Sequence, residues 1–151
     1  MPEQSNPYAP PDATLGGAAD PRASAPPSIG RQILGVLVGG IGVDLILGLT
    51  VSAFVTVLVA IAFGENETVL IGTATVVGLS FSILGGYIAA YIAPWRPVLM
   101  GALSGLVSAL CSLPIVLLTE TAPIGPFDIA GTVVHFPLAA WGGYLARNAR
   151  A

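Results

Sequence analysis

Lysine is absent from this chain, and few residues carry charge: five arginines and eight acids among 151 residues, for a net charge of −3 with the single histidine neutral. Charged residues make up 9% of the sequence, where a soluble domain carries about a quarter. That is too little to cover a domain of this size with hydrated groups. With no basic surplus there is no electrostatic footprint for nucleic acid. A single cysteine, Cys111, excludes an internal disulfide and a multi-thiolate metal centre. Its apolar surroundings mark it as a small, inert core residue. One histidine with one aspartate does not make a zinc site. Neither a GxSxG elbow nor an HExxH motif is present. No enzymatic reaction, cofactor or metal is therefore expected. An early apolar stretch behind a basic start is missing too, so no cleavable signal peptide is read.

What remains is apolar. Hydrophobic residues make up 54% of the chain and the mean hydropathy is +0.85. Residues 1–30, MPEQSNPYAPPDATLGGAADPRASAPPSIG, are the exception. They are rich in Pro, Ala, Ser and Gly without apolar periodicity, and predict a disordered tail. From residue 31 to 151 the sequence predicts an all-α transmembrane four-helix bundle. Its apolar blocks cover about 33–63, 68–93, 98–118 and 129–146. A bilayer core of about 30 Å takes roughly 20 helical residues. The first block exceeds this and must tilt, bend or project from the lipid. The links are short, GENE, PWRP and TETAPIGPFD, so sequential helices are antiparallel neighbours.

Charge sets the expected orientation. Arg22 and Arg31 precede the first span, Arg96 lies between the second and third, and Arg147 and Arg150 follow the fourth. All five share one side; Glu65, Glu67, Glu120 and Asp128 fall on the other. Arginine flanking a span is retained in the cytoplasm. The expectation is a multi-pass inner-membrane protein with both termini cytoplasmic, and with Trp95 and Tyr144 near the inner interface.

The chain also repeats itself. TVVGLSFSILGGYIA (75–89) and TVVHFPLAAWGGYLA (132–146) share TVV, then GGY at the same distance, at an offset of 57 residues. Gly48-Leu49 maps on Gly105-Leu106 at the same offset. Two parallel helical-hairpin repeats, related by an axis along the membrane normal, account for this. Small residues recur every four positions: Gly40, Asp44, Gly48 and Ser52 in the first span; Gly78, Ser82, Gly86 and Ala90 in the second; Gly101 and Gly105 in the third; Gly131, His135, Ala139 and Gly143 in the fourth. Such rows let helix backbones approach closely in lipid. Gly48, Gly78, Gly85, Gly86, Gly101, Gly105, Gly142 and Gly143 are thus read as helix-packing positions. Pro114 and Pro137 interrupt the last two spans, and proline often bends a helix.

Two ionisable residues lie deep in the spans. Asp44 is 13 residues after Arg31, and His135 is 12 residues before Arg147. At 1.5 Å per residue, both lie roughly 18–20 Å from their flanking arginines. They share a depth near mid-membrane, where a charged side chain is costly and marks function. Two readings stay open. Asp44 and His135 pair between the first and fourth spans, to relay a proton or contact a cation, with His135 as the pH-sensitive member. Alternatively each makes a buried hydrogen bond, to Ser52, Ser104, Ser108 or a backbone carbonyl, that fixes helix register.

The tail segment NPYAPP and the passages GGYIAAYIAP and GALSGL resemble uncharacterised small four-helix integral membrane proteins of bacteria. The resemblance covers residues 6–13 and 83–110 and implies a location and a fold, not an activity. Pro7, Pro10 and Pro11 favour an extended conformation around Tyr8, as a docking peptide or a spacer. The functional expectation is a structural or protein-interaction role in the bilayer, alone, with itself or within a larger membrane complex. The alternative is a small oligomeric transporter or channel that uses Asp44 and His135.

Overall fold

A computed structural model describes residues 28–64, 66–119 and 126–150, with side chains at all of these except 115–117, 119 and 126–130. The expected tail up to residue 27, Glu65, Glu120 and the side chain of Asp128 lie outside the described residues. The described chain is all-helical: α1 (Ile29–Phe63), α2 (Glu67–Ile92), α3 (Pro97–Thr119) and α4 (Pro126–Asn148). Three of them, Ile29–Phe63, Glu67–Ile92 and the Pro97–Pro114 part of α3, are long and apolar enough to cross a membrane. Their outward side chains agree with that: Phe54, Ile61, Ile71 and Leu110 are all exposed.

The helix boundaries are written locally. Ser28 caps α1 by accepting from the Arg31 N–H at 3.4 Å, and Asn66 caps α2 by accepting from the Val69 N–H at 3.3 Å. Each satisfies an amide that the first turn leaves without a partner. Pro97 opens α3, where its missing N–H costs nothing. Gly64 closes α1 at φ 80° and ψ −179°, a region that only glycine enters readily. The helices begin one to four residues earlier than the apolar blocks, because end signals such as caps and Pro97, and not hydropathy, set their starts. α3 and α4 run through Pro114 and Pro137 without ending.

The long first helix changes character in its middle. Over Val38–Leu47 it is π-helical, and the Gly48 N–H reaches back five residues to the Val43 carbonyl. Ten residues is long for a form that mostly occurs as a single wide turn, often at functional sites. Gly39, Gly40 and Gly42 fall inside it. A methyl on Gly39 would strike the Gly85 carbonyl of α2; one on Gly40 would strike the Ser104 carbonyl of α3. Adjacent glycines thus seat the π-helical segment on two helices at once.

α2 and α3 pack on each other and on both remaining helices, whereas α1 and α4 share no interface among the described residues. The small residues of α2 and α3, such as Ser82, Gly86, Ala90, Gly101 and Gly105, let this central pair serve both flanks. At one end the arginines converge. Arg31 Nε donates to the Ile92 carbonyl and Arg150 Nη2 to the Tyr91 carbonyl, each at 2.6 Å. They satisfy carbonyls that the last turn of α2 leaves free, where positive charge is favoured by the helix dipole. Arg150 also lies 4.9 Å over the Tyr91 ring, and Arg96 4.7 Å over Trp95.

Candidate functional site

Burial divides the bundle in two. The half next to the arginines is closed. There Gly86 and Gly101 face the Ala139 carbonyl, Gly142 faces the Ile83 carbonyl, and Gly143 faces Pro97. At Gly105 an added methyl would stand 2.7 Å from Ala139 Cβ and at Gly85 3.1 Å from Asp44 Cβ; Gly48, just past Asp44, would put one 3.1 Å from Phe81 Cβ. The other half is open. Among the described residues, none of 49–64, 66–81, 109–114 or 131–138 is buried. Gly78 belongs to this half and corrects its expected role: a methyl there would meet nothing within 4 Å. It borders a cleft, not a helix crossing.

Asp44 lies where the two halves meet. Its carboxylate is 2% exposed, held inward by the π-helical segment. Ser82 Oγ, on α2, donates to Asp44 Oδ1 at 2.8 Å and is also hydrogen-bonded to His135 Nδ1 of α4. His135 Nδ1 stands 3.6 Å from Asp44 Oδ2, too far for a hydrogen bond. Asp44 and His135 thus stand within ion-pair reach of each other, and the Ser82 hydroxyl bonds both. Their helices lie on opposite flanks, and the side chains meet across the bundle with the Ser82 hydroxyl between them.

Two of the expected serine partners are engaged elsewhere. Ser52 Oγ donates to the Ala74 carbonyl at 3.2 Å, and Ser104 Oγ to the Gly101 carbonyl at 2.8 Å. Ser82 is a further serine at this depth. It stands 14 residues before Arg96, about 21 Å at the helical rise, level with Asp44 and His135.

A hydroxyl has one proton. With that proton on Asp44, Ser82 accepts from a protonated His135 Nδ1. Shifting each hydrogen by one position gives a protonated Asp44 that donates to Ser82, which then donates to His135. The three side chains are thus a short proton path. Asp44 Oδ2 has no hydrogen-bond partner; the other buried polar atom in that position among the described residues is Thr56 Oγ1. A buried carboxylate oxygen without a hydrogen bond calls for explanation.

The cleft supplies one. It has a volume of about 360 Å³ and is lined by Asp44, Ser52, Thr75, Gly78, Ser112 and His135, among others. Every lining residue lies at the level of Asp44 or on the side away from the arginines. His135, 29% exposed, forms part of its wall. No group of three metal-ligating side chains occurs among the described residues. Comparison with protein families, curated proteins and solved structures finds no match, so chemistry and geometry carry the functional reading.

Proposed function

We propose that the chain is a small polytopic inner-membrane protein, with four crossings and both termini cytoplasmic, that admits an ion or small solute from the outer side to the Asp44–Ser82–His135 cluster. The observation that carries this reading is the buried Asp44 Oδ2, which lacks a hydrogen-bond partner, in a residue that lines a cleft extending from its level away from the arginines. A purely architectural hydrogen bond needs no cleft and leaves no oxygen unused. Arg31, Arg96, Arg147 and Arg150 mark the closed end as cytoplasmic. Four helices are few for alternating access, so the working form is a homo-oligomer.

Duplication of a helical hairpin fits the packing. The offset of 57 carries the Asp44–Ser82 contact onto Gly101 and Ala139, which also touch. The second copy keeps the crossing and drops the polar pair. One site per chain follows, next to its apolar counterpart.

A structural or protein-interaction role is the second reading. It is favoured by the cluster itself, which ties three helices together. Flux through reconstituted vesicles separates the two. Wild type should pass protons, alkali ions or small amines faster than protein-free vesicles, and Asp44→Asn should lower that flux at least tenfold while staying folded. Equal flux with and without wild-type protein, for every solute tried, would leave the architectural role standing.

A further inference from the structure

Three of the four hydroxyls that line the cleft offer only lone pairs, and Ser108 is the fourth. Thr75 Oγ1 donates to the Ile71 carbonyl at 2.8 Å and Ser112 Oγ to the Ala109 carbonyl at 2.9 Å. Ser52 donates to the Ala74 carbonyl. Each of these hydroxyls has used its single proton, so each presents only acceptor capacity. Asp44 Oδ2 adds a carboxylate oxygen without a hydrogen-bond partner, 3.6 Å from His135 Nδ1. An anion would meet repulsion from all of these groups.

Charge fixes the count. Among the described residues, Asp44 and His135 are the only titratable ones that line the cleft: α2 brings Thr75, α3 brings Ser108 and Ser112, and Cys111 is not in the lining. The other described charged residues, Arg31, Glu67, Arg96, Arg147 and Arg150, stand in end turns or links. Uncompensated charge at this depth is costly, so the cluster is favoured at zero net charge. It reaches zero in two ways. Asp44 and His135 together hold one extra proton, or Asp44 is ionised, His135 is neutral and one external positive charge sits beside Oδ2. A divalent ion would overshoot and takes more carboxylates than one. A transition metal takes more nitrogen or sulfur ligands than a lone histidine.

We propose that the cleft binds one monovalent cation, an alkali ion or a small protonated amine, at Asp44 Oδ2 in exchange for one proton of the Asp44–Ser82–His135 path. This rests on the cleft being a ligand site. In the exchange an N–H bond of the His135 imidazolium breaks, or the equivalent O–H bond of protonated Asp44. The proton leaves to water in the cleft and the cation takes its place. Net charge is zero before and after, and no electrons move.

The test uses the full-length protein in detergent, weakly buffered, with a pH indicator. Sodium, potassium and methylammonium chlorides are added at constant ionic strength against N-methylglucamine chloride. At least one should release about one proton per chain saturably, with apparent affinity weakening by up to tenfold per unit fall in pH, the limit for one competing proton. Asp44→Asn should abolish the release and Glu67→Gln should leave it unchanged. Thr75→Val combined with Ser112→Ala leaves the cluster intact and should weaken affinity about tenfold, which keeps the test open if Asp44→Asn misfolds. Asp44-dependent binding of an anion or neutral solute, with no cation response, would overturn the cation assignment and leave the ligand site standing. Absence of an Asp44-dependent response to cations, anions and neutral solutes alike would overturn both.

Discussion

The arginine half of this bundle and the half beyond Asp44 are built from the same helices and the same alphabet, yet they pack differently. In the first, glycines stand where a methyl would strike a neighbouring backbone, and the helices touch. In the second, Gly72, Gly78 and Gly131 have nothing within 4 Å of an added methyl, and a cleft runs between the helices. Glycine content alone does not produce close packing. It produces it where the glycines of two helices fall at the same level, as Gly39 and Gly85 do. Asp44 stands at the seam, with close packing behind it on the arginine side and the cleft in front.

Glycine substitutions break this comparison most sharply. Gly86→Ala and Gly142→Ala each drive a methyl into backbone and should cost about 3 kcal/mol, the upper range for overpacking a tight interior. Gly131→Ala should cost nothing and stabilise by up to about 1 kcal/mol, since alanine is the better helix former. Thermal melting in detergent, followed by size-exclusion yield, reads both. If Gly86→Ala and Gly131→Ala melt alike, the two halves are not packed differently.

Ser82→Ala comes next. It takes the donor from a carboxylate that is 2% exposed, and should cost about 1–3 kcal/mol. Ser80→Ala, two residues away and exposed, loses only a bond to its own helix at Val76 and should stay within about 0.5 kcal/mol. The same melts give the difference. Comparable losses at the two serines would show that Ser82 holds nothing that Ser80 does not.

The smallest expected effect is at the arginine end. Arg31→Gln removes a charged donor from the Ile92 carbonyl of α2 and should lower stability by less than about 1 kcal/mol. Added salt should reduce the wild-type advantage, because the site is exposed to water. A loss that is large and independent of salt would mean that Arg31 supports the closed half directly.

Much of the architecture was legible in the sequence. The apolar blocks give four helices, and the arginine positions bring their ends together as they are found. Counting from those arginines puts Asp44 and His135 at one level. The same count picks out Ser82, but serine carries no charge to draw notice, and its place in a small-residue row reads as packing. The π-helical stretch leaves no periodic signal, because an unbroken apolar run has no period to shift. Which helices lie on the diagonal was not legible either. Short links fix sequential neighbours but do not say whether α1 meets α4 or α2 meets α3. Gly78 illustrates the general difficulty: a row at spacing four marks a seam only along the part of it that another helix reaches.

The account depends most on water reaching Asp44 from one side alone, and thiol labelling in oriented vesicles measures that directly. In a Cys111→Ala background, Gly78→Cys places a thiol at the cleft wall and Met100→Cys places one in the closed half, where Met100 is 3% exposed. A membrane-impermeant maleimide should label Gly78→Cys from the side of the Glu67 end only, and Met100→Cys from neither side. Labelling of Gly78→Cys from the arginine side, or from neither, would contradict the account.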